Sequence, residues 1–356
     1  MHGQQTKRPG VRWRVLAFLL SILFCSSVCC VPAKASETGT DAALPPYGER
    51  VLIPVGRAVG IKLFAQGVLV VAISDLKSDG QIISPARNCG LKVGDILTQM
   101  NETDVTSTEQ VQSFLQDNGE QPVRLRVRRG DKDLSIVIQP HRCDDGIWRL
   151  GAWIRDSMAG IGTITFYDPS TGLFGALGHG ITDVDTAMLM PLSSGAIMDT
   201  SIKAVKKGES GSPGELKGDF DLTRDTGTLY ANTANGIFGT AEASDFLTDH
   251  RALSVASPAD VKTGEATILA NLSGDTVTEY SVEIVKIYAG NQPSRNMLLR
   301  VTDPRLLEQA GGIVQGMSGS PILQNGKLIG AVTHVLLNDP TQGYGIFIDN
   351  MLQAAG

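Results

Sequence analysis

The feature that most constrains this chain is a glycine- and serine-rich turn placed directly before a hydrophobic hairpin. Residues 316–321 read G-M-S-G-S-P, and apolar runs at 322–323 and 328–332 flank a turn at Asn325-Gly326. Glycines beside a serine let the backbone turn tightly and direct its N–H groups into one concavity. A serine nucleophile needs that exposure, a base and nearby donors for an oxyanion. The pattern therefore predicts Ser318 as a nucleophile, although a plain Gly-Ser-Pro turn between strands has the same composition.

The six residues of this turn resemble the G-D-S-G-G-P nucleophile loop of chymotrypsin-type serine proteases. In those proteases the N–H groups of the serine and of the glycine two residues before it form the oxyanion hole. The resemblance implies that Gly316 and Ser318 supply the two donors here.

The pattern G-x-S-G-S-P occurs a second time, at residues 208–213. Lys206 and Lys207 precede this copy, and the polar stretch 214–218 follows it, so no apolar strand would hold it rigid. We interpret it as a surface turn and Ser210 as a poor candidate nucleophile.

A serine nucleophile needs a general base, and histidine is the usual one. The chain has five histidines, which are His2, His141, His179, His250 and His334. The first, second and fourth lie in polar or terminal stretches and are expected to face solvent. His179 lies between two glycines and is the predicted base. The alternative is His334, which follows the nucleophile hairpin.

The base in turn needs an acceptor that fixes its tautomer and orientation. Asp303 stands at the end of a predicted strand, upstream of Ser318. It also fits as the start of a turn before Pro304. Asp183 and Asp185 are closer to the predicted base along the chain, but proximity in sequence does not give reach in space. The sequence leaves these three acids open.

Composition favours a turn-rich β protein without a nucleic-acid-binding surface. The 356 residues include 40 glycines, only 19% are charged, and the net charge is −6. A negative balance argues against binding to nucleic acid. No C-x-x-C or H-E-x-x-H pattern occurs, so a zinc hydrolase is disfavoured and no metal or organic cofactor is expected.

The N-terminus has the pattern of a targeting segment. Four basic residues precede an uncharged apolar run at 15–31, and Ala33-Lys34-Ala35 forms an A-x-A cleavage pattern. The run is intermediate in length between a signal peptide and a full membrane span. Residues 1–35 are therefore predicted to be a signal peptide or membrane anchor, with the rest of the chain exported. Residues 36–50 are predicted to be a linker.

Three of the five cysteines fall in the apolar N-terminal run, where they serve as small hydrophobic residues. The other two are Cys89 and Cys143, which could pair in an exported chain. Sequence does not show whether they are close in space.

Residues 51–140 resemble a PDZ domain of the type found with bacterial proteases. The matching stretches are V-G-I-K-L at 59–63, V-L-V-V at 68–71, and S-P-A followed by G-L-K-V-G-D-I-L within 84–97. An S-x-x-Q capping box at Ser107 predicts the start of an amphipathic helix.

PDZ domains bind extended peptides by adding a strand to a sheet edge. The resemblance implies a groove between the 59–63 stretch and the predicted helix. Packing of the same apolar side chains into a core is the alternative. The residues assigned to this groove are Gly60, Ile61, Leu63, Val111 and Leu115.

Residues 146–356 show an all-β pattern, with short apolar runs between Gly, Pro, Asn and Asp turns. Such spacing is typical of barrels or sandwiches. The predicted fold class is mainly β. It comprises a signal or membrane segment, an α+β PDZ domain, and a chymotrypsin-like β-barrel serine peptidase domain at 146–356.

Over nearly its whole length the chain resembles the SpoIVB peptidase family. The matching motifs are A-L-G-H-G-I-T-D at 176–183, G-I-V-Q-G-M-S-G-S-P-I at 312–322 and G-A-V-T-H-V-L-L-N-D-P at 330–340. The resemblance implies a catalytic triad of His179, Asp303 and Ser318. The rival hypothesis is a non-catalytic PDZ adaptor whose β domain has lost activity.

The resemblance also implies a biological setting. Family members enter the space between the two membranes of a developing endospore and cleave themselves. They then cleave a SpoIVFA-like membrane regulator, which releases processing of pro-sigma-K. The PDZ ligand expected here is a segment of the chain's own N-terminal region or of that regulator. Membrane association is expected through the N-terminal segment.

Overall fold

A computed structural model describes residues 50–242, 251–288 and 294–356 of the chain. The predicted signal or anchor segment, its three cysteines, residues 36–49 of the predicted linker, and His250 lie outside the described residues. The described residues all fall in one compact unit. No helix within them is long and apolar enough to cross a membrane.

Most of the described chain is strand. In chain order these strands are β1 (Val51–Pro54), β2 (Ala58–Ile73), β3 (Leu76–Ser78), β4 (Gln81–Ile83), β5 (Ile96–Met100), β6 (Thr103–Asp104), β7 (Val123–Arg129), β8 (Lys132–Ile138), β9 (His141–Arg142), β10 (Trp148–Arg149), β11 (Ala152–Asp168), β12 (Leu173–Ala176), β13 (Leu192–Lys206), β14 (Glu215–Thr233), β15 (Gly236–Ala241), β16 (Leu253–Ser254), β17 (Gly264–Ser273), β18 (Thr276–Ile287), β19 (Met297–Val301), β20 (Pro321–Gln324), β21 (Lys327–Leu336) and β22 (Asp339–Phe347). The helices of the same part are α1 (Pro85–Cys89), α2 (Thr108–Asn118), α3 (Pro304–Ala310) and α4 (Ile348–Ala355), with a 3-10 turn at Pro258–Asp260.

Two antiparallel barrels form the frame of the molecule. The first runs β2-β11-β12-β15-β14-β13 and closes because β2 pairs with both β11 and β13. The second is closed in the order β17-β18-β19-β22-β21-β20. Closure leaves no open sheet edge in either barrel. Apolar residues that alternate along the strands fill the interiors, among them Ile61, Ile164, Phe174 and Ile197 in the first and Ile268, Leu299, Ile322 and Val332 in the second.

The PDZ module is inserted between β2 and β11 of the first barrel. Its sheet contains the second half of β2 together with β5, β7 and β8. The capping box predicted at Ser107 is present, with Gln110 as its partner. Val111 and Leu115 lie on α2 as expected, but each is only 3% exposed and belongs to the module's core. Core packing, the alternative weighed for these two residues, is what the structure shows.

The structure corrects the other half of the predicted peptide groove. Gly60, Ile61 and Leu63 lie in the first half of β2, where each pairs with β11 on one side and with β13 on the other. A residue paired on both sides offers no edge to a peptide. The predicted PDZ start at residue 51 falls in β1, which pairs with β11 and β16, and the first half of β2 belongs to the first barrel. One continuous strand serves both units, so no break in the strand marks where one unit ends and the other begins.

The two cysteines outside the N-terminal run do not pair. Cys89 and Cys143 are both free thiols. The module that contains them is held together by its apolar core rather than by a covalent bridge.

Candidate active site

Ser318 and His179 line the same cleft. Its volume is about 1090 Å³, and Gly316, Thr333 and His334 also contribute to its walls. Ser318 comes from the turn before β20, and His179 follows β12 of the first barrel. The fold therefore brings the predicted nucleophile and the predicted base together across 139 residues of sequence.

The turn before β20 needs glycine at two positions. Gly316 has φ +99° and Gly319 has φ +98°, both in the region that disfavours side chains. A Cβ at Gly319 would also collide with the carbonyl of Thr163. Gly319 N–H donates to the Val332 carbonyl at 2.7 Å, which ties the turn to β21. These constraints explain the G-x-S-G sequence in physical terms.

Thr163 of strand β11 is hydrogen-bonded to the turn that carries Ser318. Thr163 donates through its N–H to the Ser318 carbonyl at 3.0 Å, and through Oγ1 to the Gly316 carbonyl at 2.7 Å. No hydrogen-bond acceptor is recorded within the described residues for the N–H groups of Gly316 and Ser318. Both N–H groups remain free to bind an oxyanion.

The Ser318 hydroxyl donates to the carbonyl of Thr333 at 2.6 Å. This contact holds the side chain in one rotamer of the free protein. A proton transfer to His179 requires that the hydroxyl give up its hydrogen bond to the Thr333 carbonyl. Catalytic hydrogen bonds commonly tighten only when substrate is bound.

His179 is presented by a turn of unusual backbone conformation. Leu177 and Gly178, the two preceding residues, have φ +68° and +67°. The ring places Nδ1 at 2.9 Å from the carbonyl oxygen of Gly180. An N–H at Nδ1 would donate to that carbonyl and leave Nε2 as the basic nitrogen. Burial lowers the pKa of His179, so the ring is neutral at pH 7 as a general base must be.

His334, the alternative base, lies against His179. The ring centroids are 4.7 Å apart and the planes are inclined by 34°. Burial, the repulsion that a protonated His179 would exert and the positive charge of Arg295 lower the pKa of His334 to about 4. Its Nδ1 is buried and has no hydrogen-bond partner among the residues that the structure describes. The structure thus brings both candidate bases together, and both rings are neutral near pH 7.

Asp303 does not form the expected hydrogen bond to His179. It caps the N-terminus of α3, where Oδ1 accepts from Arg305 N–H at 2.9 Å and Oδ2 accepts from Ser281 N–H at 3.2 Å. The Arg305 guanidinium binds the same carboxylate at 2.7 Å and holds its pKa well below the usual range. Asp303 is not among the residues that line the cleft. The sequence Asp-Pro-Arg forms a helix start here, which is the turn interpretation weighed above.

The other two acids also have different partners. Asp183 is fully buried and accepts from Thr186 N–H at 2.9 Å, from Asp185 N–H at 3.1 Å and from Arg155. Asp185 accepts from Arg155 at 2.8 Å. Within the described residues, the His179 ring is hydrogen-bonded to the Gly180 carbonyl and to none of these three acids.

Sequence reasoning missed two residues that support the site. Thr163 is one of them. The other is Asn232, whose Oδ1 accepts from Ile181 N–H at 2.9 Å and whose Nδ2 donates to the carbonyls of Ile181 and Met190, both at 2.9 Å. These bonds hold the loop that follows His179. A buried threonine within an apolar strand was the available signal for Thr163, and nothing in the sequence distinguished Asn232.

The second G-x-S-G-S-P turn lies at the tip of the β13–β14 hairpin. Ser210 is exposed and donates to the Asn338 carbonyl at 3.0 Å. Gly211 N–H donates to the Leu337 carbonyl at 2.8 Å, and Gly208 N–H donates to the Ala310 carbonyl at 2.9 Å. The turn of the first barrel is thereby fastened to the second barrel, and it lies outside the cleft of Ser318.

The cleft contains the groups that acyl transfer requires. It has a hydroxyl nucleophile, a neutral imidazole and two unpaired N–H donors within one cleft. No cluster of three or more potential metal ligands occurs in the ranges that the structure describes.

Comparison with known proteins gives the family. The family model described as SpoIVB peptidase S55 matches residues 146–352, which is more than half of the chain, and a PDZ-domain model matches residues 80–129. No curated protein matches the chain significantly.

Solved structures with similarity include the PDZ domain of the SdrC-like protein from Listeria monocytogenes, at 21% identity and TM-score 0.21, covering 25% of this chain and 87% of that one. The active form of the Rv3671c protease from M. tuberculosis is 15% identical with TM-score 0.31, covering 57% of this chain and 75% of that one.

Proposed function

From the premise that the chain belongs to the SpoIVB peptidase family of serine peptidases, we propose that it is a self-processing endopeptidase that acts through Ser318 and His179. The observation that carries the proposal is that these two side chains line one cleft, beside two N–H groups that have no hydrogen-bond acceptor in the described part of the chain. A degenerate adaptor, the rival hypothesis, would have no need to retain all of these features together.

The geometry supports a mechanism in two halves. As the Ser318 hydroxyl attacks a peptide carbonyl, His179 Nε2 takes its proton, and the Gly316 and Ser318 N–H groups bind the oxyanion. His179 then gives the proton to the leaving amine, which departs from the acyl-enzyme. Water, deprotonated by the same nitrogen, attacks the ester; the acyl C–Oγ bond breaks and the proton passes from His179 to Ser318 Oγ, which restores the free enzyme. The Gly180 carbonyl orients the ring throughout and stabilises the imidazolium that forms.

The proposed substrates are polypeptides at a membrane. The family resemblance supports cleavage of the chain's own N-terminal region and of a SpoIVFA-like membrane regulator, which would trigger processing of pro-sigma-K. The basic and apolar N-terminus supports export across the cytoplasmic membrane into the forespore intermembrane space. Association with the membrane would use residues 1–35, and cleavage of that segment would release the chain.

The PDZ module is proposed to bind an extended peptide segment from one of these substrates. Because the module is inserted in the catalytic barrel, a bound segment would be held close to the cleft at high effective concentration. The previously assigned residues Gly60, Ile61 and Leu63 take no part, since they lie inside the barrel.

The nucleophile is tested by comparing the two serines of the repeated turn. Ser318→Ala should abolish self-cleavage and covalent labelling by a fluorophosphonate probe, because the attacking oxygen is removed, while circular dichroism stays unchanged. Ser210→Ala, in the same sequence pattern, should keep both activities. Labelling that survives Ser318→Ala would refute the assignment, and an unlabelled wild-type chain would favour the adaptor.

A further inference from the structure

Strand β11 passes from the PDZ module into the catalytic barrel without a break. Residues 152–155 pair with the PDZ half of β2, up to the pair Arg155↔Leu69, and residues from Ser157 onward pair with its barrel half. The register shifts between these two stretches. Arg155 and Asp156 therefore stand at the junction of the two units.

Asp156 binds the PDZ helix. Its Oδ2 accepts from Thr108 N–H at 2.7 Å and from Thr108 Oγ1 at 3.3 Å. Thr108 is the first residue of α2, where the unpaired N–H groups and the helix dipole both favour a carboxylate. A shift of α2 would be transmitted to Asp156 directly.

Arg155, the adjacent residue, binds the loop that follows the base. Its guanidinium contacts Asp183 and also donates to Asp185 at 2.8 Å. The Asp183 carboxylate is fully buried and organises the backbone of residues 185 and 186. This loop, the catalytic loop, begins at His179, and its residues Ala187 and Leu189 line the cleft. Loss of the arginine would leave a buried carboxylate without its cation, which is costly and would disturb the loop.

We infer that Arg155 is a positioning residue for His179, and that the Arg155–Asp156 pair couples the PDZ helix to the catalytic loop. The inference rests on the proposed function. An extended peptide that docks against α2 would then change the turnover of Ser318 itself, in addition to bringing substrate near. The coupling runs through two adjacent residues, one hydrogen-bonded to each unit.

The test compares Arg155→Gln, Arg155→Lys and Asp156→Ala in the full-length chain. The readouts are kcat and KM on a short unstructured peptide, the rate of fluorophosphonate labelling, and the pH profile of that rate. Arg155→Gln and Asp156→Ala should each lower kcat and the labelling rate about five- to thirtyfold, with KM nearly unchanged. Arg155→Lys, which keeps the cation, should recover part of the loss.

The matched control is Arg149→Gln, which removes a similarly exposed arginine that pairs with Asp145 and does not contact the catalytic loop. It should stay within about twofold of wild type. Effects of Arg155→Gln and Asp156→Ala should be non-additive in the double variant. If Arg155→Gln does not fold, Arg155→Lys and Asp156→Ala still carry the test.

Different results would overturn the proposed function and the proposed coupling. A wild-type chain that is not labelled at Ser318 overturns the proposed function. A wild-type chain that is labelled, together with wild-type rates and pH profiles for Arg155→Gln and Asp156→Ala, overturns the coupling alone.

Discussion

At the scale of single residues, the proposed base, His179, contacts a neighbouring carbonyl instead of a carboxylate. The Gly180 oxygen fixes the ring through Nδ1, and burial keeps the imidazole neutral. A carbonyl carries only a partial charge, so it stabilises the imidazolium less than an ionised acid would. The lowered pKa of His179 offsets this weaker stabilisation in one respect. The ring stays neutral, and so able to accept a proton, at pH values where an ordinary histidine is already protonated.

A substitution of Asp303 distinguishes a structural role of this residue from a catalytic one. Asp303→Asn keeps an N-cap acceptor for α3 but loses the ion pair with Arg305. We expect unfolding free energy to fall by about 1 kcal/mol and turnover to stay within about tenfold of wild type.

The measurements are a denaturant titration and peptide hydrolysis on the same preparation. A loss near ten thousandfold in a fully folded variant would restore Asp303 to the triad, since that is the effect of removing the orienting acid in the serine-protease template. Its position in this structure would then represent a resting arrangement.

At the scale of elements, β11 organises the site. The same strand pairs with the PDZ sheet, binds the catalytic loop through Arg155 and supports the nucleophile turn through Thr163. A strand paired along its length is a rigid support, which is how a site built from loops keeps its geometry.

Thr163→Val should weaken the nucleophile turn without changing the shape of the strand. The substitution leaves the Gly316 carbonyl without its 2.7 Å donor in a partly buried position. An unpaired buried acceptor costs about 1–3 kcal/mol, so kcat should fall about tenfold or more if the oxyanion peptide shifts. Steady-state kinetics on a short peptide measures this.

The same strand provides the control for that experiment. Thr165 is also buried, and its Oγ1 has no hydrogen-bond partner in the described structure. Thr165→Val should leave kcat unchanged and keep or raise the melting temperature, because an unpaired hydroxyl is removed. Equal kinetic losses in the two variants would show that the strand tolerates neither change and that the Thr163 bond has no special role.

At the scale of the whole molecule, the two barrels are joined near the site by the second G-x-S-G-S-P turn. Gly208 contacts Ala310 and Gly211 contacts Leu337, while residues 214–216 of the first barrel exchange hydrogen bonds with Gln315 just before the nucleophile turn. The repeated motif thus has a structural use, as a fastening between barrels.

Gly311→Ala tests that fastening. Gly311 has φ +74°, and a Cβ there would lie 2.5 Å from the Gly208 carbonyl oxygen. Gly130→Ala is the control, with φ +57° and no atom within 4 Å of the added Cβ. Both variants pay about 1–2 kcal/mol for the left-handed backbone, and Gly311→Ala should lose about 1–3 kcal/mol more from the clash. Thermal unfolding measures the stability of both variants. Equal losses of stability would show that the contact between residues 208 and 311 rearranges at no cost.

The sequence by itself determined the parts of this protein that depend on local chemistry. The glycines around Ser318 follow from positive backbone angles, the capping box at Ser107 follows from unpaired helix N–H groups, and the turn-rich pattern of 146–356 follows from alternating strands. The choice of His179 among five histidines followed from its flanking glycines and is consistent with its place in the cleft. Each of these signals is contained within a few consecutive residues.

Only the tertiary structure decided what depends on partners far apart in the chain. The sequence does not show which cation an acid will pair with in space, and Asp183 pairs with Arg155, which precedes it by 28 residues. Asp303, which the resemblance assigned to His179, has local partners instead, namely the first turn of α3 and Arg305. The apolar alternation of β2 is the same whether its neighbours belong to a PDZ sheet or to a barrel, so residues 58–65 could not be assigned from pattern alone. Every strand of a closed barrel needs two neighbours, but side-chain alternation does not show which strands those neighbours are. Strand pairing is therefore decided by the closure of the whole barrel.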